Sequence, residues 1–494
     1  MPASSAVGRH LVLTGFRFIF DGLLVPLSVI AGASWRFGTL FPSKLEAYAP
    51  AMMCAALVLP SLSYIGGLYS PTLTHCDSWA RVRWFFFSLA ATVMVLMGMG
   101  SVSLEARVGR GVLVYGLIVL TFCYAAHHFL LSKRLRMRRL RTACLVSGPD
   151  DEMAAEILAR SSPQIEVVGL IAIGDSCPLS GHLPFLGKID GLESMELPIM
   201  VNTILVRDRH LVMPQLTTVL RRWRYQGIEI MSLADACEMM LQAVPLPLVT
   251  ESWLFRASSQ SGLLYIKKLK RLFDITTALL CLITLWPVLL AGIFLVRLTS
   301  PGPVFFRQIR LGRLGRQFSI LKLRTMRLDA EKDGPQWSSG KDDRVFPAGV
   351  ILRRYRIDEI PQLFNILRGD MSFVGPRPER PEFIDQLEQQ VPFYRERLLV
   401  QPGLTGWAQV RYPYGSNLED AWRKHELDLY YIKHMSILLD FFVLLETTRT
   451  VLIGGNSKSD AHTKAMHQWN KLVPGSDKSD NLSFQPLVPA LPKL

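Results

Sequence analysis

Residues 275–296 read ITTALLCLITLWPVLLAGIFLV, an apolar run long enough to cross a bilayer, for which a helix needs about 20 such residues. Its flanks argue against a crossing. Lys267, Lys268, Lys270 and Arg271 precede it, and Arg297, Arg307, Arg310 and Arg313 follow it; basic residues mark the cytoplasmic side of a membrane segment. One crossing helix cannot keep both ends on one side. Trp286-Pro287 falls at its middle, where a proline removes a backbone hydrogen bond and bends a helix. The expectation is a re-entrant, hairpin-like helix over 271–300 that enters the membrane and returns.

Upstream, apolar stretches near residues 11–32, 48–69, 84–103 and 111–131 predict four transmembrane helices within 1–141. The fourth is followed by KRLRMRRLR, residues 133–141, the densest basic run in the chain. Positive charge assigns that run to the cytoplasm and, counting back, the N-terminus and the Arg81–Arg83 loop too. No cleavable leader is expected, because no small-residue cleavage site precedes a soluble domain. Arg17 and Asp21 lie about one turn apart on the first span, spaced to pair.

Composition narrows the partners. Of 494 residues 49% are hydrophobic, which favours membrane residence, and 55 Lys and Arg against 41 Asp and Glu leave a net charge of +14. That charge suits anionic lipid and phosphorylated substrates. Nucleic acid is not an expected partner, since the basic residues crowd beside apolar spans and no nucleic-acid-binding motif is present. The seven cysteines form no CxxC and no Cys/His cluster, so neither a disulfide framework nor a zinc site is expected.

From Thr142 the pattern becomes ACLVSG, MAAEILAR, VVGLIAIG, TILVRD and VMPQLTTVLRRWR, strands alternating with helices. This predicts a Rossmann-like α/β domain over 142–255, followed by a linker over 256–266 that begins within the proline- and Ser/Gly-rich stretch 246–262. A dinucleotide site is not expected. Where a glycine fingerprint would fall, the chain reads Ser147-Gly148-Pro149-Asp150-Asp151-Glu152, lacking two glycines and adding acids that repel pyrophosphate. A structural or regulatory module is the reading.

The chemistry is argued from residues 356–380, RIDEIPQLFNILRGDMSFVGPRPER. Asp358 and Glu359 precede Ile360, Leu363, Phe364 and Leu367 at helical spacing, and Gly369 is placed to end that helix. Both acids are thus predicted at a helix N-terminus, which favours ionised carboxylates and phosphate, with Pro361 in the first turn. Arg353, Arg354, Arg356, Arg368, Arg377 and Arg380 surround the pair; guanidinium groups suit bidentate phosphate contacts. Pro376 and Pro378 restrict the backbone on both sides of Arg377.

The run DEIPQLFNILRGDMSFVGPRP resembles the signature of the bacterial sugar transferases, the monotopic phosphoglycosyl transferases. Three more stretches agree in order: SPGPVFFRQIRLGRLGRQFSILKLRTM at 300–326, PGLTGWAQV at 402–410 and EDAWRKHELDLYYIKHMSILLD at 419–440. The resemblance covers 267–455. It implies transfer of hexose 1-phosphate from a UDP-hexose to undecaprenyl phosphate, with Asp358 as nucleophile and Glu359 as ligand of a catalytic Mg2+. It also implies substrate binding by Arg377 between Pro376 and Pro378, by Lys322 and Arg324, and by Gln362. Gln401 and Leu427 depart from the pattern, where a basic residue and an aromatic are common.

The fold class expected is therefore an α-helical membrane protein: four transmembrane helices, a Rossmann-like α/β middle domain and a mostly helical monotopic transferase domain, 267–455, with the re-entrant helix. Residues 436–453 are read as an interfacial or packed helix rather than a span, and 456–494 as a mobile tail. The resemblance places the protein in the bacterial inner membrane, its catalytic domain on the cytoplasmic face, at the first membrane step of exopolysaccharide or capsule synthesis. A homo-oligomer is compatible with this. Glucose is the expected sugar, with galactose the alternative and an inactive membrane scaffold the alternative from another class. A nicotinamide-dependent epimerase is set aside for want of the glycines and of a TyrxxxLys dyad.

Overall fold

The computed structural model describes residues 4–39, 45–66, 68–69, 78–102, 108–137, 140–161, 165–173, 183–189, 201–211, 213–249, 264–328, 330, 343–412 and 418–450. The tail read over 456–494, residues 256–263 of the linker, and most of the basic side chains of 133–141 lie outside the described residues.

Among the described residues, five helices are long and apolar enough to cross a membrane. Four of them, α1 (Ser4–Phe37), α2 (Leu45–Ile65), α3 (Ser78–Val102) and α4 (Arg110–Met137), pack together. Their shared core includes Val25, Val29, Ala55, Leu59, Leu96 and Leu120, while Ile19, Leu27, Met94 and Phe122 face outward. An apolar outer surface of this kind suits lipid rather than water. Where α1 crosses α4, a Cβ on Gly32 would collide with the Val112 carbonyl and Gly116, so small residues let the two backbones touch.

The expected Arg17–Asp21 pairing gives way to a wider network. Asp21 accepts from Tyr69 (2.6 Å) and contacts His127 (2.7 Å) and His128 (3.0 Å). Arg17 donates to the carbonyls of Leu68 and Tyr69, each at 3.1 Å. Residues far apart in sequence outcompete the neighbour one turn away, because a fully buried carboxylate needs several donors.

The middle region is a five-stranded sheet of order β3-β2-β1-β4-β5, parallel throughout. Its strands are β1 (Leu140–Val146), β2 (Ile165–Ile173), β3 (Phe185–Ile189), β4 (Thr203–Val206) and β5 (Glu229–Ser232). Helices α5 (Pro149–Ser161), α6 (Pro214–Tyr225) and α7 (Leu233–Leu241) cover it, as a parallel sheet buried on both faces requires. The order reverses between β1 and β4, the arrangement of a Rossmann-like domain. Of the linker expected over 256–266, residues 264–266 belong to the next helix instead. Leu246 and Leu248 are buried, the Leu246 amide donates to Glu426 at 3.2 Å, and the next helix already begins at Leu264.

That helix, α8 (Leu264–Thr299), runs through Pro287 as one helix rather than a hairpin. Both its ends rest on the same domain. Near its start Lys270 donates to Asp440 (2.6 Å) and to the Val374 carbonyl (3.0 Å), and Arg271 donates to the carbonyls of Ile366 and Leu367. Further along, Ala278 is buried among Ile320, Ile360, Leu363 and Ile366, and Val296 among Leu323, Phe346 and Leu352. The opposite face exposes Leu280, Ile283, Trp286, Phe294 and Leu298.

Around α8 sit the hairpin β6 (Phe305–Leu311)–β7 (Gln317–Leu323) and helices α9 (Pro347–Arg354), α10 (Gln362–Arg368), α11 (Pro381–Glu388), α12 (Trp407–Arg411), α13 (Leu418–His434) and α14 (Ile437–Arg449). The short strands β8 (Ser372–Val374) and β9 (Gly403–Thr405) pair in parallel. Helix α14 is packed rather than spanning. Its Phe441 meets Phe18 edge-on at 5.3 Å and its Phe442 stacks on Tyr64 at 4.6 Å, joining this domain to the helical bundle.

Candidate active site

Asp358 and Glu359 lie in a single 3₁₀ turn, Ile357–Glu359, ahead of α10, whose N-cap is Pro361. The sequence placed both acids on the helix end itself. They precede it, so their positive surroundings come from side chains rather than from the helix's free amides. Arg356 adopts a left-handed backbone conformation (φ 57°) before the turn, uncommon for a residue with a Cβ. That conformation sets its guanidinium against Glu359 at 3.2 Å.

Three cations hold Glu359. Its Oε1 accepts from Arg377 at 3.1 Å and from Lys322 at 3.4 Å, and its Oε2 from Arg356. Burial opposes ionisation, yet Arg377, Lys322 and Arg356 together keep the carboxyl well below the usual carboxylate range. Lys322 is itself lowered by burial, against the pull of Glu359.

Asp358 is treated oppositely. It is 7% exposed, and its Oδ1 is buried with no hydrogen-bond partner. Burial, with Glu359 beside it, pushes its pKa up to about 6 against Lys322, Arg353 and Arg356. Adjacent carboxylates with pKa values driven apart are a mark of divided chemical roles.

The Arg377 loop is held by backbone contacts. The carbonyls of Pro376, Arg377 and Pro378 accept respectively from the Gly403 amide (2.8 Å), Arg397 (3.0 Å) and Arg310 (3.1 Å). Cβ atoms on Gly375, Gly403 or Gly406 would strike each other's backbones. This explains why VGPRP and PGLTG need their glycines: the two motifs meet main chain to main chain at β8 and β9. A groove beside the loop is lined by Pro376, Arg377, Pro378, Glu379, Arg397 and Pro402.

The other sequence candidates divide. Lys322 and Arg377 converge on the acid pair. Gln362 is buried close to it in sequence, its side-chain amide nitrogen without a partner. Arg324 is elsewhere: it donates to the carbonyls of Ser300 and Pro301 just beyond α8, the work of a helix-end cap. Gln401 donates to the Gly369 carbonyl at 2.6 Å, and Leu427 is core. Sequence reasoning passed over Asn365, Arg397 and Asp428. Asn365 accepts from the Leu321 amide (3.0 Å) and donates to the Ser319 carbonyl (2.8 Å), gripping the strand that carries Lys322. Its one signal was an amide side chain inside an apolar helix. Arg397, buried against Asp428 (3.0 Å) and Tyr394, had none.

As donors for a metal, the pair offers the unpartnered Asp358 oxygen and Glu359. Magnesium typically takes one or two carboxylates and fills its shell with water and substrate phosphate, which this set fits. Among the described residues, one group of three His, Cys, Asp or Glu converges, Asp21, His127 and His128, and it lies in the bundle.

A membrane-associated domain whose carboxylate pair is ringed by lysine and arginine is laid out to handle anionic groups. Residues 265–454 match the family described as bacterial sugar transferase. Over 186 residues the chain is 45% identical to a UDP-N-acetylgalactosamine-undecaprenyl-phosphate N-acetylgalactosaminephosphotransferase of Aeromonas hydrophila, covering 38% of this chain and 44% of that one. Over 192 residues it is 42% identical to a UDP-glucose:undecaprenyl-phosphate glucose-1-phosphate transferase of Caulobacter vibrioides, covering 38% of this chain and 71% of that one. An undecaprenyl-phosphate glucose phosphotransferase of Komagataeibacter xylinus is 29% identical over 488 residues, covering 91% of this chain and 86% of its own. The chain belongs to the bacterial sugar transferase family.

Proposed function

We propose that the protein transfers hexose 1-phosphate from a UDP-hexose to undecaprenyl phosphate in two displacements at one phosphorus. The observation that carries this is the contrast at the acid pair: Glu359 held by Lys322, Arg356 and Arg377, and Asp358 with a buried, unpartnered oxygen. With a pKa of about 6, Asp358 is mostly ionised at pH 7 and more basic than an ordinary aspartate, the balance a carboxylate nucleophile needs.

In the first step an Asp358 oxygen forms a bond to the sugar-linked phosphorus, and the bond from that phosphorus to the bridging oxygen breaks. The electron pair leaves with UMP. In the second, a phosphate oxygen of the lipid attacks the same phosphorus and the bond to Asp358 breaks, restoring the carboxylate. Arg377 binds phosphate oxygens from its braced loop, and Lys322 and Arg356, on Glu359 with it, neutralise charge beside the acid pair. Mg2+, which Glu359 would hold, would supply additional charge neutralisation on the phosphates.

Topology follows the same reading. Lys270 and Arg271 at one end of α8 and Val296 at the other all touch the domain bearing Asp358. This supports an α8 that enters the membrane and returns by bending at Pro287 rather than by a hairpin, with the domain on the cytoplasmic face of the inner membrane. Glucose is the proposed sugar, because the relative aligned along 91% of this chain is named for glucose. The Aeromonas relative, named for N-acetylgalactosamine, aligns over the transferase part. The test is to incubate membranes carrying the protein with UDP-glucose, UDP-galactose or UDP-N-acetylgalactosamine, follow UMP release, and digest the quenched protein for mass spectrometry. A hexose-phosphate mass on the peptide containing Asp358 is expected. UMP release by Asp358→Asn at the wild-type rate would overturn the mechanism.

A further inference from the structure

The point where the middle sheet reverses its order carries a cluster that the transfer reaction does not use. β1 and β4 are parallel neighbours, with Cys144 opposite Leu205. Ser147 therefore leaves the C-terminal end of one strand beside Arg207 leaving the end of the other. In open parallel sheets this crevice is where ligands bind. Helix α5 opens there, directing its first amides toward it.

The side chains form an anion cradle already holding an anion of the protein's own. Asp151 Oδ2 accepts from the amide (3.1 Å) and hydroxyl (2.9 Å) of Ser147, and its Oδ1 accepts from Arg207 at 3.0 Å. Arg209, half exposed, donates to the Ser147 hydroxyl at 2.7 Å and lies 3.9 Å from Asp151. The second observation is His210, which is 2% exposed. Its Nε2 accepts from the Arg209 Nε–H at 3.1 Å, so the neutral ring carries its proton on Nδ1, and that buried nitrogen has no partner. A buried donor without an acceptor costs about 1–3 kcal/mol. Above the turn there is room: a Cβ on Gly148 would meet nothing within 4 Å.

We infer that this crevice binds the phosphate groups of a nucleotide, with Arg209, Arg207 and Ser147 as donors and Asp151 as an internal carboxylate that the ligand displaces. The missing glycine fingerprint is then replaced by side-chain donors, and the acid that seemed to forbid phosphate occupies its place in the ligand-free protein. Two arginines favour phosphate over carboxylate ligands, since a phosphate's three or more free oxygens can engage both guanidinium groups at once whereas a carboxylate has only two.

The test titrates the detergent-solubilised full-length protein with ADP, and separately with inorganic phosphate, by calorimetry. Removing the competing charge in Asp151→Asn should tighten ADP binding about tenfold, and Arg209→Ala should weaken it about tenfold while UMP release stays at the wild-type rate. Arg209 is half exposed, so its variant decides the question even if Asp151→Asn fails to fold. Unchanged ADP affinity in Arg209→Ala overturns the proposal. So does ADP binding that is lost in Arg377→Ala and kept in Arg209→Ala, which would put the nucleotide at the transferase site. Phosphate binding as tight as ADP would overturn the nucleotide assignment.

Discussion

Two regions of this molecule surround a carboxylate with arginines, and they end in opposite states. At Asp151 every oxygen is satisfied, by Ser147 and Arg207. At the acid pair Glu359 takes all three hydrogen-bonding cations and leaves Asp358 with a buried oxygen that bonds to nothing. The first is a closed charge balance and the second an open one. Unspent bonding capacity inside a protein is costly, and at the site proposed to attack phosphorus it is the feature that would react.

The largest effect expected from breaking this contrast is at Asp358 itself. Asp358→Asn keeps the shape and removes the proposed nucleophile, so UMP release should fall by about a thousandfold or more, which is roughly 4 kcal/mol of barrier. The same variant should be more stable. The folded pKa of about 6 lies above the ordinary value of 3.8, so the cost of holding the ionised group is full above pH 6 and disappears as pH falls toward 4. Thermal melts at pH 7.5 should favour Asp358→Asn by up to about 3 kcal/mol, and melts at pH 4 should not. A variant less stable than wild type at pH 7.5 would remove the argument for a strained nucleophile.

Glu359→Gln attacks the other side of the comparison. It removes the negative charge that Lys322, Arg356 and Arg377 share, and loss of one charge from a buried ion cluster costs about 3–5 kcal/mol. Melting should drop at neutral pH, and the deficit should shrink in acid, because wild-type Glu359 loses its own contribution as pH falls below the ordinary glutamate range.

Arg397→Met tests a positioning role. Arg397 holds the Arg377 carbonyl (3.0 Å) without reaching the acid pair, so KM for the UDP-hexose should rise more than kcat falls, by about tenfold. A kcat loss equal to that of Arg377→Ala would place it in the reaction instead. The smallest effect concerns pH. The rate of donor attack should fall about tenfold per pH unit below 6 as Asp358 gains its proton, and a flat profile from pH 5 to 8 would contradict the assigned nucleophile.

How far the sequence could be read depended on whether a residue's role was local. The apolar spans, the alternation of the middle sheet and the acid pair between its arginines are all written in neighbouring letters. Arg324 was carried over as a substrate contact together with Lys322 from one motif; it stands just past the end of β7, and its guanidinium is taken up by the carbonyls of Ser300 and Pro301, partners that no neighbouring letter announces. The Arg17–Asp21 pairing failed for a similar reason, since Tyr69, His127 and His128 arrive from other helices. The contact of Gly375 with Gly403 and Gly406 was equally hidden. Each glycine was visible, but their meeting depends on a parallel pairing between segments separated by α11.

Helix α8 has one more consequence, for how the protein comes into being. Its Ala278 and Val296 are fully buried in two separate clusters of the transferase domain, so those clusters cannot close until α8 is in place. Because α8 precedes the rest of the domain in the chain, it is synthesised before the residues that pack against it. Trimming α8 away to obtain a soluble fragment would remove part of the domain's interior rather than a detachable anchor.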